Sequence, residues 1–178
     1  MTQNLQTAQW EHSKRKAALI ADSSTLIEME FGKKITSIKF GKEKFEISNE
    51  GFWCPRIIIK HKGDVAALQK HLGLWGTKSE FDINGKTYTA KTKQGMLFNL
   101  TYSLPDKDIL TYKLDTSKSK IQISVEVTTT DIQGQHLLLL MALGFYSIKN
   151  VALEAGAHDF IVTAVGYFYF NKVSNMNN

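Results

Sequence analysis

A single cysteine, Cys54, leaves the chain no partner for an internal disulfide and too few thiols for a cysteine-rich zinc site. It reads as a buried free thiol, since no Cys-His-Asn framework accompanies it. Only two prolines occur in 178 residues, which excludes a proline-rich linker or recognition segment. No apolar stretch long enough to serve as an h-region follows the polar residues 1–16, so no signal peptide is expected. The apolar run Leu137–Tyr146 has about ten residues and Phe160–Phe170 is similarly short; a membrane-crossing helix needs roughly 20. The sequence therefore predicts no transmembrane span and a cytoplasmic, reducing location. Catalytic signatures are missing too. His12, His61, His71, His136 and His158 show no metal-ligand spacing, and no GxSxG, P-loop or GxGxxG occurs. No metal, cofactor or catalytic residue is expected, and the chain reads as a non-enzyme.

What is present is an ordinary globular composition, 43% hydrophobic and 22% charged, which suits one domain with a substantial core. The net charge is +5, and the excess lies early: residues 1–89 hold 14 Lys/Arg against 10 Asp/Glu, and the rest 8 against 7. A basic bias of this size suits phosphate-bearing partners, and also suits a plain solubilising surface.

Turn signals recur about every ten residues, among them Gly32-Lys33, Gly41-Lys42, Gly63-Asp64, Asn84-Gly85 and Pro105-Asp106. Asn84-Gly85 is the strongest, because both residues tolerate the positive φ of a tight hairpin. Between the turns apolar residues alternate with polar ones. Ile27, Met29 and Phe31 oppose Glu28 and Glu30; Leu110, Tyr112 and Leu114 oppose Thr111 and Lys113; Ile121, Ile123, Val125 and Val127 oppose Gln122, Ser124 and Glu126. Such alternation makes antiparallel sheet with one dry face and one wet face. Residues 64–72 carry helix-forming residues, with Val65, Leu68 and Leu72 on one helical face, yet a strand fits the architecture better.

The exception to the strands is a helix expected from Ile132 to Lys149, about 27 Å long. Asp131 stands ready to cap it and Lys149 to meet its C-terminal dipole. Around Leu137, Leu138, Leu140, Met141 and Phe145 it has no polar face, so it must be surrounded. The sheet is what can surround it. An eight-stranded barrel fills with its own side chains, so a wider one is required, and about eleven strand candidates precede Asp131. The predicted fold is mainly β: a closed antiparallel barrel of about twelve strands around a central hydrophobic helix near the C-terminus. Residues 1–15 read as a mobile lead, 16–150 as the barrel and 151–178 as a C-terminal extension, in which Phe160–Phe170 is either a last strand or a second helix.

The strand series from Lys16 to Val127, the turn at Gly63 and the helix Leu137–Tyr146 together resemble the tubby C-terminal domain superfamily, with its phospholipid scramblase and LURP-one-related members. The resemblance covers roughly residues 16–150 and implies a barrel about a hydrophobic helix and a role in lipid binding. Two features differ. More than twenty residues follow the expected helix, and the segment Asp131–His136 holds one carboxylate, so a calcium site is not implied. The family's basic binding positions have no residue-by-residue match here.

On the residues themselves, Lys33, Lys34, Lys39, Lys42 and Lys44 crowd the early turns, and Arg56, Lys60 and Lys62 share parity on the next strand. The candidates for anionic lipid headgroups are Lys33, Lys34, Lys42, Lys44, Arg56, Lys60 and Lys62. They equally fit solvated outward positions that discourage edge pairing. Phe52-Trp53 and the tail aromatics Tyr167–Phe170 can touch a membrane or simply pack. The expected partner is anionic phospholipid, at the periphery of the membrane, or another protein, rather than nucleic acid. The alternative is a lipocalin-like barrel carrying a small apolar ligand, with the helix outside.

Overall fold

A computed structural model describes residues 6–51, 56–72, 77–93, 97–115, 121–128, 132, 134–154 and 160–166. Twelve antiparallel strands form one sheet: β1 Gln6–His12, β2 Lys16–Ala21, β3 Ser24–Phe31, β4 Ile35–Phe40, β5 Glu43–Glu50, β6 Arg56–His61, β7 Asp64–Leu72, β8 Lys78–Ile83, β9 Lys86–Lys93, β10 Leu97–Leu104, β11 Lys107–Asp115 and β12 Ile121–Val127. Each pairs with the next in chain order. Helix α1, Gly134–Glu154, follows, and a short strand β13, Phe160–Gly166, ends the described chain. β13 lies between the first and twelfth strands, antiparallel to β1 and parallel to β12.

Tight turns explain the meander. Asn84 and Gly85 have φ of 50° and 77°, and Lys62 and Gly63 have 52° and 91°, the left-handed pair that a two-residue hairpin requires. Successive turns alternate between two poles of the molecule. Connections 22–23, 41–42, 62–63, 84–85 and 105–106 share one pole, where α1 begins. Connections 13–15 and 32–34 share the other, where α1 ends, together with Arg56, Lys78 and Lys93 at their strand ends.

The alternation read from sequence is the burial pattern observed. Ile27, Met29, Phe45, Ile47, Phe81, Ile83, Tyr112, Ile123 and Val125 are all buried with α1 in one core. Residues 64–72 form a strand despite their helical propensity, because β6 and β8 each need its backbone as a partner. Two expectations are corrected and one open choice is decided. Residues 6–12 are not a mobile lead but β1, whose Ala8 and Trp10 are buried; the small Ala8 and the polar Gln6 and Gln9 hide the alternation. The helix runs past Lys149 to Glu154, with Ala152 fully buried. Within the stretch assigned to a C-terminal extension, which the sequence leaves open between a last strand and a second helix, residues 160–166 form a strand of the same sheet. The suggested cap Asp131, the segment Phe52–Pro55, His158 and Tyr167–Phe170 lie outside the described residues.

α1 is apolar on every side and packs accordingly. Leu140, Met141, Ala142, Leu143, Phe145 and Ile148 have no exposed surface. Phe145 stacks on Trp10 of β1 at 4.1 Å between ring centroids and lies against Phe31 of β3. The Tyr112 hydroxyl of β11 donates to the Met141 carbonyl at 2.5 Å. Tyr102 of β10 bonds Ser147. The helix thus touches strands from widely separated parts of the sheet. By length and composition α1 could cross a membrane, but 67% of that apolar window is buried in the protein, as in a core helix.

Candidate functional site

The lysines singled out in sequence do not form one patch. Lys42, Lys44, Lys60 and Lys62 lie towards the pole where α1 begins; Lys33, Lys34 and Arg56 lie at the opposite pole. Arg56 and Lys60 share a strand but stand at its two ends, with a bulge between Ile59 and Lys60.

The first group meets acid. Lys62 is 3.7 Å from Glu43, which also pairs closely with His61. Lys60 stands opposite Glu46 in register. Lys44 lines an open groove of about 620 Å³ on the outer wall, where Glu11, Glu28 and Glu30 balance Lys16 and Lys39, and Lys39 pairs with Glu28 at 3.6 Å. These charges largely cancel one another.

The second group does not. Around Lys33 and Lys34 the same pole gathers Lys14 and Arg15 from the β1–β2 turn and Lys78 and Lys93 from strand ends. All are exposed; Arg56 faces Glu50 in register as Lys60 faces Glu46, whereas among the described residues Lys14, Arg15, Lys33, Lys34, Lys78 and Lys93 form no ion pair. Glu50 and Asp115 are the acids that end strands there. Lys14, Arg15, Lys78 and Lys93 escaped the sequence reading because they are scattered along the chain. Their signal was the parity of the turns: in an antiparallel meander every second connection returns to the same side.

A further cation lies beneath this pole. Lys149 is 4% exposed; its ammonium donates to the carbonyls of Ser13 and Lys14 at 2.9 and 3.3 Å and sits 3.5 Å from the centre of the Phe31 ring. Desolvation lowers its pKa to about 8. Lys149 ties the end of α1 to the turn that presents Lys14 and Arg15. The expected role as an exposed dipole partner is thus replaced by a buried clamp.

The opposite pole carries a polar cluster that sequence spacing did not reveal. His136 Nδ1 lies 2.7 Å from the Tyr88 hydroxyl, and Asn84 approaches Nε2 at 3.5 Å. Burial, and then the charge of Lys86, holds the His136 pKa below the ordinary value, which favours the neutral ring. Phe45, His61, Asn84, Gln135 and His136 border a cavity of about 40 Å³. That holds water rather than a substrate. Among the described residues no group of His, Cys, Asp and Glu is arranged to hold a metal ion.

Compared with family models, curated proteins and solved structures, the chain matches none.

Proposed function

We propose that this chain is a non-enzymatic binding domain of tubby-like type, a closed barrel around α1 that contacts anionic phospholipid at the cytoplasmic face of a membrane. The gathering at the pole where α1 ends of exposed cations that, among the described residues, form no ion pair (Lys14, Arg15, Lys33, Lys34, Lys78 and Lys93) carries the reading. A field of one sign over one end attracts anionic headgroups at roughly 1 kcal/mol per basic residue near the surface. The pairing of β13 with both β1 and β12 supports the barrel, and the reach of α1 to β1, β3, β10 and β11 supports its central place. A carrier of apolar ligands needs empty volume, and the burial of α1 side chains in one core with the strands weighs against that reading.

Vesicle co-sedimentation tests the proposal. Bound protein should rise several-fold when phosphatidylserine is added to phosphatidylcholine vesicles, and fall again as salt is raised. Equal binding to both compositions overturns it.

A further inference from the structure

We infer that the cationic pole is an amphipathic foot: Ile35 and Leu153 enter the acyl boundary of an anionic bilayer while the surrounding cations hold its headgroups. This deepens the lipid reading above and rests on it. Among the described residues three large hydrophobic side chains are exposed, Ile35 at 48%, Leu153 at 41% and Val65 at 60%. Isolated exposed aliphatics are ordinary. Their placement is what distinguishes two of these. Ile35 opens β4 immediately after Lys33 and Lys34, and Leu153 is in the last turn of α1, four residues beyond Lys149, whose ammonium is clamped beneath the Lys14–Arg15 turn. Both therefore lie at the pole where, among the described residues, Lys14, Arg15, Lys33 and Lys34 form no ion pair. Val65 lies at the other pole, between Asp64 and its register partner Lys60.

The combination selects the partner. A nucleic acid would use the same cations, but it offers nothing apolar for Ile35 and Leu153 and gains from stacked aromatics. A bilayer uses both, since apolar insertion and electrostatic attraction add. Because α1 connects the two poles, docking in this way stands the helix on the membrane, with the His136 cluster facing away from the surface.

The test uses the full chain with phosphatidylcholine–phosphatidylserine vesicles and, separately, a duplex DNA oligomer. Ile35→Ser/Leu153→Ser should weaken vesicle binding roughly tenfold and leave any DNA binding unchanged. Lys33→Gln/Lys34→Gln should weaken vesicle binding and flatten its salt dependence, whereas Lys42→Gln/Lys62→Gln at the opposite pole should do neither. A polarity-sensitive dye on Leu153→Cys, in a Cys54→Ser background, should shift to the blue on anionic vesicles. The melting temperature of each variant checks that it is folded. Unchanged vesicle binding by the serine variant, or an unshifted dye, overturns the insertion. Equal losses at both poles overturn the choice of pole. DNA binding without vesicle binding overturns the choice of partner. No vesicle binding by the unaltered protein sinks the lipid reading itself.

Discussion

Gly144 shows how closely α1 and the sheet are fitted. A Cβ built there would lie 2.1 Å from Cε2 and 2.6 Å from Cδ2 of Tyr112, a fully buried ring whose hydroxyl is fixed on Met141. Alanine favours a helix over glycine by about 1 kcal/mol, but overpacking a rigid ring costs more, about 1–3 kcal/mol and here towards the upper end. Gly144→Ala should therefore destabilise the protein, and adding Tyr112→Leu should recover part of the loss; urea melts of the two single variants and the double variant check it. Lys149 makes a prediction of a different kind. Its pKa is about 8 folded and 10.5 free. Below pH 8 both states carry the proton, and the folded state bears the whole cost of the buried charge. Between pH 8 and 10.5 the folded state loses the proton first, the unfolded state binds more, and stability rises with pH, by about 3 kcal/mol at most. Lys149→Met should abolish that component of the slope in urea melts taken across this window. His136 has the same sign at lower pH. Its folded pKa lies below 6.5, so stability falls as the pH drops below that value. His136→Gln should remove this contribution.

At the scale of elements, strand β13 joins the two ends of the twelve-strand meander, with Ala164 in register with both Ala8 and Val125. Without it β1 and β12 would present bare backbone along their lengths, which invites aggregation. A chain ended after Glu154 should lose cooperative melting and associate; light scattering and circular dichroism follow both. Legibility differed from element to element. β3, β5, β11 and β12 were plain because large apolar residues alternate with charged ones. α1 was plain because nothing polar interrupts Leu137–Met141, although its end was misplaced: Lys149 looks like a stop signal until it is seen buried against two carbonyls. β1 was missed and β13 left open between strand and helix because strand identity there comes from pairing. Gln6–His12 offers only Ala8 and Trp10 to a period-two reading, and Phe160–Gly166 is apolar but for Thr163, a pattern that a buried helix shares. For residues 64–72 local preference pointed to helix and the neighbouring strands decided otherwise.

At the scale of the molecule the charges sort by pole although the sequence scatters them. Lys14 and Lys93 are far apart in the chain and share one end; Lys34 and Lys42 are close in the chain and lie at opposite ends. A list of basic residues could not show this, and the proposed headgroup set accordingly combined the two ends. The same topology brings Gln6 opposite Gly166. A circular permutant that links the N-terminal side of β1 to the C-terminal side of β13, and opens instead between Asn84 and Gly85, should fold with native-like secondary structure by circular dichroism. It should melt lower, because the Asn84–His136 contact loses its hairpin.

That last strand also imposes an order on biosynthesis. The ribosome releases twelve ribbons, then a rod that shuns water, and only afterwards the ribbon that pairs with both the first and the twelfth. Until Gly166 emerges the nascent chain has an oily rod and two bare borders, and a chaperone that shields them over that interval favours maturation.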